Sequence, residues 1–454
     1  MTCIRSLATS IVILVGCGGS GTSPPTPTGP SPDVRDVSAS PSDAHSDTDD
    51  DAPDLHDGAD GLADADGHDV IAEDVPGEFP ACQPDCEGRQ CGDDGCGGVC
   101  GVCENLLDRC TDGVCECSLS CPKGLCGVDS CGRYCACAEG KICTLDNECI
   151  QAAPQCDEHG FCLIPAATFL MGDDRVPPDG ELIPGLDMHV PAHPVTITRP
   201  FRIQRTEVTQ AAWLELMGGP NPSQAEACGG ACPVTRVTFF DALRYANAMS
   251  ARDGLAPCYD LEGCGVAENG VSTECERATY VGAACVGYRI PSEAEWELAA
   301  RGGTTGCFPG GDLAILDDHC VAVPEIDPYG WYCANSFATY DGALECTGHE
   351  GKTCGLQPVG TKLANSFGLH DMHGNARELV ATLLEPYPAA AEVDPGVDLV
   401  FELGKAGVSR NGTYSSGAAL LCSFWRAGPG LNYKSVKGGT QGFRLAQSVP
   451  HTPR

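Results

Sequence analysis

Gly287-Tyr-Arg-Ile-Pro-Ser-Glu-Ala-Glu-Trp-Glu-Leu-Ala-Ala-Arg-Gly-Gly303 carries its own start and stop signals. Pro291 sets an extended approach, and Ser292 is a good N-cap for the orphan amides of a helix. Glu295, three residues on, completes a capping box. Glu293, Glu295 and Glu297 put negative charge at the positive end of the helix dipole. Ala294 and Leu298 share one face, Trp296 offers a packing anchor, and Gly302-Gly303 ends the helix after Arg301.

Two more helices lie upstream. Phe240-Asp-Ala-Leu-Arg-Tyr-Ala-Asn-Ala-Met-Ser250 places Ala242, Tyr245, Ala246 and Met249 at i, i+3, i+4 and i+7, and it stops near Gly254. Thr209 caps a shorter one through Trp213 to Met217, ended by Gly218-Gly-Pro220. The rest of the C-terminal two-thirds reads as short strands joined by loops rich in Gly and Pro.

The helix segment resembles the R-[LI]-P-[TS]-E-A-E-W-E-x-A-A-R-G-G signature of the formylglycine-generating enzyme, or sulfatase-modifying factor, family. Six further stretches resemble that family in the right order. They are Phe169-Leu-Met-Gly172 with Thr206-Glu-Val-Thr209, Pro233-Val-Thr-Arg-Val237, Asn365-Ser-Phe-Gly-Leu-His-Asp-Met-His-Gly-Asn-Ala-Arg-Glu378, Arg410-Asn-Gly-Thr-Tyr414 and Gly442-Phe-Arg444. The resemblance implies an α+β fold of the C-type-lectin-like kind, with little regular secondary structure, over residues 155–448.

It also implies where chemistry would sit. In the oxidases of this family the loop after Tyr414 carries two cysteines, four residues apart, that bind copper(I) and exchange with a substrate cysteine. A soft thiolate pair selects Cu(I) and permits that exchange. Laid on the pattern without a gap, those positions are Ser416 and Leu421, with Cys422 one residue beyond. A hydroxyl and an isobutyl group cannot hold Cu(I), so copper is not expected. The leading expectation is a binding or structural domain for a protein or glycan ligand. The alternative is an oxygen-dependent oxidoreductase acting on protein cysteine, with Cys422 as its remaining candidate group.

Calcium is the cofactor the resemblance favours. The family's structural site matches the side chains of Asp371 and Glu378 and the carbonyls of Gly374 and Ala376, all hard oxygen donors. A second, less complete site begins at Asn335 and Ser336, with its remaining ligands near Gly351 and Thr353. His370 and His373 fall in the same block at positions that are not ligands in the family. His189 and His193 flank prolines and are read as structural.

Composition bounds the remainder. The formal net charge of −36 argues against nucleic-acid binding, because no basic surface would meet the phosphates. The 32 cysteines point to an oxidising compartment. Residues 1–17 resemble a bacterial lipoprotein signal, with Leu14-Val-Gly-Cys17 as lipobox and Cys17 as the lipidated residue. Residues 18–80 form an acidic spacer too poor in large apolar groups to fold, which would hold the rest away from the membrane.

Between Cys82 and Cys149 eight-cysteine units repeat, at 81–116 and 117–150. They have almost no large apolar residues, so disulfides rather than a core, and rather than zinc, are expected to hold them. Sequence proximity suggests Cys156–Cys162, Cys228–Cys232, Cys264–Cys275, Cys346–Cys354 and Cys258–Cys285. Elimination leaves Cys333 as a partner for Cys422.

Overall fold

In the computed structural model, residues 108–111, 114–117, 125–128, 132–175, 187–266, 273–282, 284–313, 320–346, 348–396, 400–402, 407–427 and 439–449 are described. Cys17, the acidic spacer and most of the first cysteine unit lie outside them. No helix among the described residues is long and apolar enough to cross a membrane.

The three helices form where their caps put them. Helix α1 spans Gln210–Met217, and the Thr209 side chain accepts from the Ala212 amide. Helix α2 spans Phe239–Arg252, starting one residue before the apolar period because Thr238 and Asp241 make a capping box there. Helix α3 spans Glu293–Arg301. The Ser292 hydroxyl accepts from the Glu295 amide at 3.2 Å, and the Glu295 carboxylate accepts from the Ser292 amide at 2.9 Å. Gly302 closes α3 in the left-handed conformation at φ 56°.

Short sheets surround these helices. A five-stranded sheet runs in the order Glu392–Val393, His193–Ile197, Ala167–Met171, Lys141–Cys143 and Cys149–Gln151. Its last two strands belong to the second cysteine unit. The sheet therefore crosses the boundary expected between residues 150 and 155, and that unit docks as two added strands on the larger domain. A four-stranded sheet joins Tyr288–Arg289, Ala446–Ser448, Phe201–Gln204 and Phe161–Ile164. In a three-stranded sheet the central Arg377–Leu383 pairs antiparallel with Gly407–Arg410 and parallel with Gln441–Gly442. This last sheet carries Glu378 and Arg410 and aims the loop after Tyr414.

Apolar burial is divided. One cluster gathers Trp213, Tyr245 and Phe443 around α1 and α2, with Trp213 stacked on Tyr245 at 5.6 Å. A second packs Trp296, Leu298 and Phe367 beneath α3. A third holds Phe308, Tyr332, Leu421, Phe424 and Trp425 around two disulfides. Loops of this length cannot stay ordered on such divided cores alone, and cross-links constrain the unfolded chain instead.

All five pairs suggested by sequence proximity are bonded, with Cα separations of 3.8, 6.0, 3.9, 5.1 and 5.6 Å in the order given above. The pairing of Cys422 with Cys333 is corrected. Cys422 is bonded to Cys307 and Cys333 to Cys320. The chain leaving α3 is laid beside the 418–421 turn, where the Ser423 amide donates to the Cys307 carbonyl at 3.0 Å. Elimination along the sequence could not see that approach across 115 residues. In the second cysteine unit Cys126–Cys143 and Cys137–Cys149 are disulfides.

Candidate functional site

The loop after Tyr414 is built inward, not outward. Ser416 is 8% exposed, and its Oγ accepts from the Thr413 amide at 3.0 Å. Leu421 ends a short 3-10 turn, Ala418–Leu421, and its side chain is fully buried beside Phe424 and Tyr332. The sulfur of Cys422 is fully buried and bonded to Cys307. The three positions expected to carry oxidase chemistry thus present a hydroxyl in a turn, an alkyl group in a core and a cross-link.

A charged lattice lies directly beneath. Arg410 is fully buried, and its guanidinium meets Glu293 Oε1 at 2.9 Å and Glu297 Oε2 at 2.7 Å. Arg301 takes the other Glu297 oxygen at 2.7 Å, and Arg426 meets Glu293 at 2.6 Å. Burial pushes the Glu297 carboxyl up, but Arg301 and Arg410 outweigh it and hold it below the usual range. The acids of α3 read from sequence as dipole partners are therefore chiefly buried ion-pair partners. Arg289 forks onto Glu295 at 2.6 and 2.7 Å, adding the third such lock.

The expected calcium donors are close together but already partnered. Both Glu378 oxygens are taken by Arg444, each at 2.7 Å, and Oε2 also accepts from the Trp296 indole at 2.8 Å. The Gly374 and Ala376 carbonyls accept from Asn411 Nδ2 at 2.6 and 3.1 Å. Asp371 Oδ2 accepts from the Gly360 amide at 2.6 Å, while Oδ1 is buried with no partner. Glu207 Oε2 is likewise buried and unpartnered. Burial pushes Glu207 well above the carboxylate range, and nearby Asp371 adds to it; burial also raises Asp371.

At the second expected site, Asn335 Nδ2 donates to the Gly330 carbonyl at 3.0 Å, and the Ser336 hydroxyl donates to the Tyr414 carbonyl at 2.6 Å. The Ser336 carbonyl accepts from the Gly355 amide at 3.0 Å. These contacts brace the loops around Tyr414.

The histidines have structural partners. His373 contacts the Leu421 carbonyl at 2.9 Å, and burial lowers its pKa to about 4. His370 contacts the Lys362 carbonyl at 2.8 Å, and His193 meets Glu392 at 2.9 Å. His189 packs against Phe424 at 4.9 Å.

Sequence reasoning missed Asn411 and Arg444 as partners of the Asp371 block. A signal existed for the first. Asn411 stands where the resembling R-G-G-S-[WY] pattern has glycine, and a polar side chain there must be put somewhere. Also missed was a cavity of about 400 Å³ between the second cysteine unit and the larger domain. Ile142, Leu170 and Leu298 give it apolar walls, and Lys141, Arg175 and Arg301 bring charge. No sequence period marks it, because it exists only once the strand Lys141–Cys143 has docked.

Comparison with known proteins agrees with this architecture. Residues 147–449 match the family described as "Sulfatase-modifying factor enzyme 1-like domain". The chain is 33% identical over 189 residues to "Chaperone protein LppX" of Paenibacillus barcinonensis, covering 39% of this chain and 60% of that protein. It therefore spans less than two thirds of that relative's length. It is 29% identical over 250 residues to "Formylglycine-generating enzyme" of Mycobacterium tuberculosis (strain ATCC 25618 / H37Rv), covering 49% of this chain and 74% of that one. Among solved structures, "Treponema denticola variable protein 1" aligns at TM-score 0.47 and 24% identity over 64% of this chain and 95% of that chain. With its signature helix and its closing strand inside a matched span that covers more than half of the chain, the chain belongs to the sulfatase-modifying factor enzyme 1-like family.

Proposed function

We propose that this family domain serves as a binding domain outside the cytoplasm and does not perform copper–thiol oxidation. The observation that carries the reading is the state of Cys422. It is the one sulfur at the loop where the family's oxidases keep a pair, and it is bonded to Cys307 in a core. Copper(I) needs at least two soft donors held in reach of each other, and exchange with a substrate needs one of them free. Ser416 and Leu421 supply neither.

Nine disulfides among the described residues suit an oxidising compartment. The reading places the chain at the bacterial cell envelope, facing outward from the outer membrane or cell surface. Cys17 would be its lipid anchor and residues 18–80 its spacer. The ligand is a protein or glycan, and the cavity beside Leu170 offers an apolar recess for part of it.

Loading the purified protein with copper(I) under anaerobic conditions tests the chemical half. Elemental analysis after desalting should find no stoichiometric copper. One retained copper per chain, lost in Cys422→Ser, would contradict the reading.

A further inference from the structure

We infer that the Asn411 carboxamide replaces the family's structural calcium ion, so that this chain folds around a protein-supplied substitute for a metal. The proposal rests on the family assignment, and on where four donors point. A calcium ion in that place would need the Gly374 and Ala376 carbonyls and the Asp371 and Glu378 carboxylates turned towards one centre. The carboxamide of Asn411 instead sits among the carbonyls. Its Nδ2 donates to the carbonyls of Asp371 at 2.8 Å, Gly374 at 2.6 Å and Ala376 at 3.1 Å. Its Oδ1 accepts from the Gly374 amide. This orientation is the one the partners allow, since three carbonyls only accept and one amide only donates.

Glu378 is held separately, by the arginine of the closing Gly442-Phe-Arg444 stretch. Arg444 is fully buried and covers both oxygens of Glu378, while its remaining donors reach the carbonyls of Gln204 at 3.1 Å and His370 at 3.0 Å. A fork of fixed N–H groups suits a carboxylate well, and with the Trp296 indole it takes three hydrogen bonds at Glu378. Asp371 Oδ1 is buried with no partner. A metal among the carbonyls would have to displace the Asn411 carboxamide.

The turn is closely packed. A Cβ at Gly374 would lie 1.9 Å from the Trp331 carbonyl oxygen, so only glycine fits there. Asn411 has φ 65°, in the left-handed region that glycine and asparagine tolerate. Its removal can therefore be tested without backbone strain.

The experiment compares wild type with Asn411→Gly, each with calcium chloride or with a chelator, by thermal melting and by elemental analysis. The proposal predicts a wild type that retains no calcium and melts alike in both buffers. It also predicts that Asn411→Gly melts lower than wild type in chelator, because three buried carbonyls lose their donor. A wild type that holds stoichiometric calcium, or melts higher with it, overturns the proposal; so does a glycine variant as stable as wild type in chelator. Should the variant fail to fold, the wild-type measurements still decide. Family membership would survive either failure, since it rests on the matched span.

Discussion

Glu297→Ala is expected to destabilise the family domain by about 3–5 kcal/mol, the range for removing one partner of a buried ion pair. Glu297 is fully buried and accepts from Arg301, Arg410 and the Gly172 amide, so its loss leaves the buried Arg301 guanidinium without its carboxylate and Arg410 with Glu293 alone. Equilibrium denaturation should show the midpoint fall, and Glu297→Gln should recover only part of it. Acid should act in the same direction. The folded-state pKa of Glu297 lies below its usual value, so its contribution is present above that value and is lost as pH falls through the folded one. A variant within a few tenths of a kcal/mol of wild type would mean that the lattice does not hold α3 in place.

The second large effect is expected from the paired change Cys307→Ser with Cys422→Ser. The bond closes a loop with sequence separation 115, and chain entropy assigns about 4.7 kcal/mol to a loop near 100 residues. Both sulfurs are fully buried, so serine also strands a hydroxyl in an apolar cluster. The loss should appear in denaturation curves measured without reductant. Near-wild-type stability would show that the cross-link contributes little and would free Cys422 for another role.

What could be read from the sequence was local. The Ser292–Glu295 box, the Thr209 cap and the stop at Gly302 depend on residues within a few positions of one another, and each occurs. The same holds for five disulfides that close loops of 4 to 27 residues. What escaped was long-range. Cys307 reaches Cys422, Arg444 reaches Glu378 and Arg410 reaches Glu297, across separations that no period or spacing records. The glutamates of α3 show the cost of a local reading. Their position at a helix start was legible, whereas their burial under arginines from the end of the chain was not.

At the loop after Tyr414 the residue types were legible. Ser416 and Leu421 carry no sulfur, and the structure adds the turn and the core in which they stand. The donors at Asp371, Gly374, Ala376 and Glu378 could be named from the sequence. Their partners could not, because Asn411 and Arg444 arrive from other strands.

The most direct measurement incubates the purified full chain with copper, oxygen and a peptide containing Cys-x-Pro-x-Arg, followed by mass spectrometry of the peptide. The account predicts recovery of the unmodified cysteine and its air-oxidised disulfide only. Appearance of a peptide aldehyde in place of the thiol, absent when Cys422 is replaced by serine, would contradict it.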